Sequence, residues 1–314
     1  MTRRALLIGG SGFLGRHTAR RLVENGWTVT VLDLPGGAVR FPASDTEPLR
    51  TLEGSVTRRE DVDAAFAAAA PNLVVQLAAY STDGMGLVPS GEQNPAAAVD
   101  VNVGGLVNVL EAARGIDDCR VVLTSSTTLL GTAAEYPGPV DEAALLSPAS
   151  VYAATKVLAE QLVRTYRHHH GVDAVALRPT LVWGPEIQYR GIQSAMGDMI
   201  QAAARGTAIS VPGNSEPWDL IYVVDAAEAI VAVAESASPP PVLTASGYVA
   251  SVNDVRGEVM RQVPEARITL EGASRPLGFP LVDTRALDDL GFRAQFDLTA
   301  SVANFLETER RAAR

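Results

Sequence analysis

Two side chains four residues apart carry the chemistry of this sequence: Tyr152 and Lys156, in Tyr152-Ala153-Ala154-Thr155-Lys156. On a helix that spacing puts both on one face. A phenol with a reference pKa near 10 is a poor proton shuttle at neutral pH. An ammonium about 4 Å away is worth up to roughly 4 kcal/mol at an effective dielectric of about 20, or about 3 pKa units. Tyr152 could then move a proton while hydride passes between a substrate carbon and a nicotinamide. Upstream, Leu123-Thr124-Ser125-Ser126-Thr127 ends a strand in hydroxyls. Ser126 can hold the substrate oxygen there, with Ser125 and Thr127 close enough to share the role.

A second constellation opens the chain. Gly9-Gly10-Ser11-Gly12-Phe13-Leu14-Gly15 lies between an apolar run and a helical pattern, with Gly9, Gly12 and Gly15 spaced G-x-x-G-x-x-G. The first glycine permits a tight turn and the second lets backbone N–H groups approach a pyrophosphate. The third allows helix and strand to pack closely. Asp33 ends the next strand, where a carboxylate accepts from a ribose 2′-OH and repels a 2′-phosphate. No arginine or lysine follows it until Arg40, which favours NAD over NADP.

The elements that must position these groups alternate through the first 180 residues. Apolar runs at Ala5–Ile8, Thr28–Leu32, Leu73–Leu77, Val121–Thr124 and Ala174–Leu177, with a weaker one at Leu49–Glu53, read as strands. Helical patterns at Leu14–Asn25, Asp61–Ala69, Ala96–Arg114 and Ser150–His169 separate them. Unbroken apolar runs indicate strands buried on both faces, and the alternation gives an α/β fold, a doubly wound parallel Rossmann sheet. After Pro179 loops lengthen and Pro and Gly cluster. Residues 1–180 read as an NAD-binding domain with the catalytic residues. Residues 181–314 read as a smaller substrate-binding lobe, partly interleaved with the sheet. Ser81–Pro95 reads as a long loop placed like a lid.

Composition narrows the alternatives. The chain has 314 residues, 47% hydrophobic and 20% charged, enough for a full core. A formal charge of −10 argues against nonspecific nucleic-acid binding. Cys119 is the one cysteine, so no internal disulfide is available and a reducing, cytoplasmic setting fits. Arg3 and Arg4 precede only Ala5–Ile8 before Gly9, too short for a signal peptide, and the apolar stretch near Ala64–Tyr80 is broken by Pro71, Asn72 and Gln76. His168-His169-His170 lacks a supporting carboxylate or cysteine cluster, so no metal site is expected.

In order along the chain, these features resemble the extended short-chain dehydrogenases/reductases, the NAD-dependent epimerase/dehydratase family. The resemblance covers nearly the whole length. It rests on Gly9–Gly15, Val75–Ala79, Asn102 in Val101-Asn102-Val103-Gly104-Gly105, Thr124–Gly131, Tyr152–Lys156 and Arg178-Pro179-Thr180 through Gly184-Pro185. Leu220–Asp225, Asp283–Ala286 and Leu290–Phe292 extend it. It implies that Gly9, Gly12, Phe13, Leu14 and Gly15 bound a pyrophosphate and Asp33 the adenosine ribose. Leu77, Ala78 and Ala79 would line the groove, and Pro179 and Val182 would meet the nicotinamide. Ser55, Val56, Asn102 and Thr124 complete the implied cofactor set, with Lys156 also on the nicotinamide ribose. Ser126 would orient substrate and Tyr152 would be the acid/base. Tyr80, Ser81, Thr82, Thr127 and Trp218 join Ser126 as substrate contacts. The resemblance also implies a homodimer through the Ala96–Arg114 and Ser150–His169 helices.

Departures from the family pattern bear on substrate. Gly54-Ser55 stands where the family has Gly-Asp, which alters the adenine contacts, and Gln76 replaces a histidine. Trp218 replaces the arginine with which nucleotide-sugar enzymes grip a diphosphate, and Gln193–Asp198 lacks their asparagine. A planar apolar ring cannot do the work of a bidentate guanidinium. Arg190, Arg275 or Arg285 could compensate. The expectation is therefore an NAD-dependent oxidoreductase acting on a secondary alcohol or ketone of a small polar metabolite. The alternative is a nucleotide-sugar 4-epimerase using a retained NAD. A dehydratase is disfavoured because Thr127-Thr128 stands where those enzymes carry Asp-Glu.

Overall fold

Apolar runs without polar alternation must be covered on both sides, and in the computed structural model of the protein they form one parallel sheet. The structure describes residues 3–36, 49–82, 84–187, 189–273 and 278–313. Arg40 and Arg275 lie outside the described residues.

The first half runs β1 (Arg4–Ile8), α1 (Phe13–Glu24), β2 (Thr28–Asp33), β3 (Leu49–Glu53), α2 (Arg59–Ala69) and β4 (Leu73–Gln76). Next come α3 (Leu87–Gln93), α4 (Pro95–Val99), a π turn over Asp100–Gly104, α5 (Gly105–Ala113) and β5 (Arg120–Thr124). Then follow α6 (Val151–His170), β6 (Asp173–Pro179), β7 (Leu181–Trp183), α7 (Ser194–Arg205) and β8 (Ala208–Gly213). The chain continues through β9 (Trp218–Tyr222), α8 (Val223–Glu235), β10 (Val242–Ala245), β11 (Tyr248–Ala250) and α9 (Val252–Gln262). It closes with β12 (Arg267–Ala273), α10 (Arg285–Asp288) and α11 (Leu298–Ala312).

The central sheet has the order β10-β6-β5-β4-β1-β2-β3, with every pair parallel. Strand order reverses at β1, which pairs with β2 on one side and β4 on the other (Ile8 opposite Leu32 and Gln76). The crevice at the carboxyl ends of β1 and β4 is where such sheets bind ligands. One face packs Leu6, Val74, Leu106, Val109, Ala159 and Val163 against α2, α5 and α6. The other packs Leu7, Leu22, Val75, Ala226 and Ile230 against α1 and α8. A third core, around Trp183, Met199, Tyr222 and Phe305, joins α7, α9 and α11 to the small sheet β11-β9-β7. The chain after residue 180 thus contributes to both bodies, since α8 and β10 belong to the central layers.

Two expectations are corrected. Ser81–Pro95 is not a loop throughout: Leu87–Gln93 is helical, its first turn accommodating Pro89, whose missing N–H costs nothing there. Ala96–Arg114 is not one regular helix, because the π turn at Asp100–Gly104 interrupts it around Asn102. The helical stretch Pro95–Ala113 is the one, among the described residues, long and apolar enough to cross a membrane by length and composition. Its Ala98, Leu106, Val109 and Leu110 are buried in the protein.

Candidate active site

The site begins with local backbone requirements. Gly9 sits at φ +76°, and a β-carbon there would lie 2.7 Å from the backbone of Ala78. At Gly15 it would lie 2.5 Å from the carbonyl oxygen of Gly10, so α1 packs on β1 only without a side chain. Gly12 caps α1 with no side-chain hydrogen bond, leaving the first-turn N–H groups for an anion. Asp33, at the end of β2, accepts from the N–H of Ser11 (2.8 Å) and of Leu34 (2.9 Å), and its carboxylate still faces the crevice.

On α6, Ser150 caps the helix by accepting from Ala153 N, and Gly171 ends it in the left-handed conformation. The helix turns Tyr152 and Lys156 inward, 5% and 4% exposed. Lys156 Nζ donates to Thr124 O at 2.8 Å and lies 5.6 Å from the Tyr152 ring centroid. Burial lowers the Lys156 ammonium to about 8, against a nearby Glu160 that holds it up. Burial raises the Tyr152 phenol, with Tyr189 adding to the rise and a hydrogen bond with Ser126 opposing it. The lowering of the phenol expected from Lys156 is not found: the loss of hydration by a phenolate enclosed in protein dominates, and the hydrogen bond with Ser126 is what opposes it.

The three adjacent hydroxyls divide. Ser125 Oγ is buried and donates to Glu160 Oε1 at 2.6 Å, and Arg178 grips the same carboxylate in two bonds of 2.8 and 2.7 Å. Ser126 Oγ accepts from Thr128 N and Oγ1 and bonds with Tyr152. Thr127 lines the cavity without such a link. Of the three, Ser126 is the hydroxyl joined to the phenol.

All these groups open on a single cavity of about 990 Å³, at the upper end of what ligand sites enclose. Its cofactor side is walled by Gly9, Gly12, Phe13, Leu14, Gly15, Asp33, Ser55, Val56, Leu77, Ala78, Ala79, Thr124, Pro179 and Val182. Asn102 is absent from that wall. It is buried, accepts from Tyr80 N and donates to Thr155 Oγ1, bracing β4 against α6. Tyr80 and Thr82 are likewise absent from the wall. Their backbone N–H groups are tied to Asn102 and Ser90, and Ser81 is the neighbour that reaches the cavity. Sequence reasoning missed Thr180, Tyr189, Gln193, Asp219, Phe279 and Val282 as wall residues. The available hints are positional: Thr180 lies in the Arg178–Pro185 motif, Tyr189 and Gln193 follow it, and Asp219 adjoins Trp218.

Trp218 is in the wall but 3% exposed, its indole N–H given to Glu216. Arg190 is in the wall too, with its guanidinium engaged by both oxygens of Asp198. Arg285 is paired with Asp283 and stands outside the wall. Ser55, in the wall beside Val56, has its N–H bonded to Asp61 Oδ2 at 2.7 Å. Among the described residues no group of side chains could hold a metal ion. Cys119 is buried, its thiol pushed up to about 12 by burial.

The sequence profile described as "NAD dependent epimerase/dehydratase family" matches residues 5–243, more than half of the chain. The chain belongs to that family. The UDP-glucose 4-epimerase of Mycolicibacterium smegmatis is 29% identical over 233 residues, covering 73% of this chain and 72% of its own. Two solved structures share the fold. The UDP-glucose 4-epimerase of Thermotoga maritima with UDP-glucose superposes with a TM-score of 0.83 at 20% identity, covering 99% of each chain. The Thermus thermophilus UDP-glucose 4-epimerase complex with NAD gives 0.81 at 22%, covering 98% of this chain and 99% of its own.

The crevice fits the family's dinucleotide. The glycines that a β-carbon would block shape the turn before α1. The hydroxyls of Thr124 and Thr180, both wall residues, are buried with no partner in the protein, as hydroxyls facing a polar ligand are. Asp33 remains free to accept from a ribose.

Proposed function

We propose that this protein is a nucleotide-sugar 4-epimerase working on an NAD it retains. The observation that carries the reading is one continuous cavity in which Ser126 and Tyr152 stand between the dinucleotide crevice and the lobe beyond β6. A relative named UDP-glucose 4-epimerase, at 29% identity, favours epimerisation over net dehydrogenation and moves the reading to what the sequence offered as its alternative.

Bound NAD supplies reversible hydride acceptance at the nicotinamide, which no side chain can do. The chain's own part is proton handling and placement. Tyr152 moves the proton at the sugar hydroxyl, and Ser126 fixes that oxygen beside the phenol. Lys156, held by Thr124 O, keeps a positive charge in the site that favours the phenolate during transfer. Gly9 to Gly15 and Asp33 hold the pyrophosphate and ribose, and Pro179 and Val182 pack the nicotinamide end. Ser81, Thr127, Trp218 and the wall from Tyr189 to Gln193 take the nucleotide sugar. Exposed Val99 and Leu158, on the expected dimer helices, are where a second copy would pack.

Trp218 favours a second reading, the NAD-dependent dehydrogenase of a small polar secondary alcohol, because the guanidinium that grips a diphosphate is missing there. The test separates the two. Protein purified without nucleotide is incubated with UDP-galactose, no NAD is added, and the sugar is followed by NMR. Interconversion with UDP-glucose supports the epimerase. No conversion of nucleotide sugars, with NADH formed from added NAD in a parallel assay as a secondary alcohol is oxidised to its ketone, supports the dehydrogenase.

A further inference from the structure

The first two turns of α1 carry a charged cluster that the catalytic account leaves unused. Arg16 Nη2 donates to the backbone oxygen of Glu186 at 2.5 Å, and its Nε lies 3.5 Å from Glu186 Oε2. Arg20 Nη2 donates to both carboxylate oxygens of Glu186, at 2.9 and 3.0 Å. Glu186 adopts φ +69°, a left-handed backbone that a residue with a β-carbon keeps only when its surroundings hold it. His17, on the same face, is buried and stays neutral near pH 7, so the ionic fastening is Arg16, Arg20 and Glu186. Phe13 extends the contact, meeting His17 edge-on at 5.9 Å and Tyr189 at 6.3 Å.

This cluster joins the two sides of the cavity. Helix α1 presents its N-terminus to the pyrophosphate position, while Tyr189 and Arg190, just beyond Glu186, are wall residues of the substrate side. Arg190 N in turn donates to Gly84 O at 2.7 Å, closing the wall on the far side. The dinucleotide crevice, which meets α1 at Phe13, Leu14 and Gly15, is thereby bounded by a segment fastened to α1 itself. We propose that Glu186, paired with Arg16 and Arg20, is a positioning residue that sets how slowly NAD leaves the protein. This rests on the proposed retention of NAD and goes beyond it by naming the residues responsible. The opposite sign is possible in principle: freeing two guanidinium groups on α1 would strengthen NAD binding if their long-range attraction for its phosphates outweighed the mechanical fastening.

The experiment measures dissociation of NAD from the full-length protein by displacement with excess labelled NAD, together with the thermal unfolding midpoint. Glu186→Gln keeps the shape and removes the charge. It is expected to release NAD about tenfold faster, equivalent to about 1.4 kcal/mol. Arg20→Gln, at the more exposed partner, is expected to give roughly threefold, and the double variant to be no faster than Glu186→Gln alone. Unchanged or slower release in Glu186→Gln overturns the proposal, as does strict additivity of the two changes. Should Glu186→Gln unfold, Arg20→Gln decides on the same scale. Should the wild-type protein itself exchange NAD rapidly, retention fails as part of the functional reading, while the ratio of variant to wild-type rates still decides the role of Glu186.

Discussion

The two ends of the cavity are built on different principles. The cofactor end is made of backbone and small side chains at strand ends: Gly9 to Gly15 after β1, Asp33 after β2, and Leu77 to Ala79 after β4. Its geometry follows from the sheet, because the switch point at β1 and β4 fixes where those ends lie. The substrate end is assembled from Gly84–Pro89, Tyr189–Gln193, Trp218–Asp219 and Phe279–Val282, four segments far apart in sequence. There the side chains make the surface, so the same fold can be refitted to another ligand by changing a few of them. Tyr152 and Ser126 stand where the two ends meet.

The largest effect is expected at that junction. Tyr152→Phe should lower turnover on the order of a thousandfold while bound NAD, quantified after denaturation, stays near the wild-type amount. Loss of both together would erase the separation between chemistry and cofactor binding. Next comes the cofactor end. Gly15→Ala drives a methyl group into the Gly10 carbonyl, so NAD affinity should fall by at least about a hundredfold in calorimetric titration. Wild-type affinity would show that α1 has room to move.

A smaller, pH-dependent effect sharpens the role of Lys156. Burial lowers its ammonium to about 8, so it is charged below that pH and neutral above. Turnover should therefore decline as pH rises through about 8, and Lys156→Met should be slower at every pH without that limb. A wild-type profile flat across this range would remove the charge of Lys156 from the mechanism. The smallest effect belongs to the substrate end. Trp218→Phe, which keeps a ring in the wall and removes only the indole bond to Glu216, should raise KM for a nucleotide sugar about tenfold or less and leave NAD affinity unchanged.

The same contrast explains what could be read from the sequence. Strands buried on both faces announce themselves as unbroken apolar runs, so β1, β2, β4, β5 and β6 were legible to within a residue or two. The phosphate turn was legible because only glycine satisfies its contacts. Wall residues such as Thr180, Tyr189, Phe279 and Val282 follow no periodicity, and only the tertiary fold brings them together. Asn102 shows what a motif leaves unsaid: its position is legible, but its bonds to Tyr80 N and Thr155 Oγ1 in the π turn depend on the tertiary fold. Leu87–Gln93 was hidden by Pro89 and Gly91, which are loop residues by composition but tolerable in a short, half-buried helix. The raised phenol of Tyr152 was likewise out of reach, because spacing reveals a neighbouring charge and not the desolvation opposing it.

The most direct test of the central claim follows one hydrogen atom. UDP-glucose carrying deuterium at C4 is incubated with protein purified without added nucleotide, and the product is examined by NMR and mass spectrometry. Epimerisation on a retained NAD predicts UDP-galactose with the deuterium still at C4 and no NADH accumulating in solution. Release of deuterated NADH in step with an oxidised product would contradict it and return the protein to the dehydrogenases.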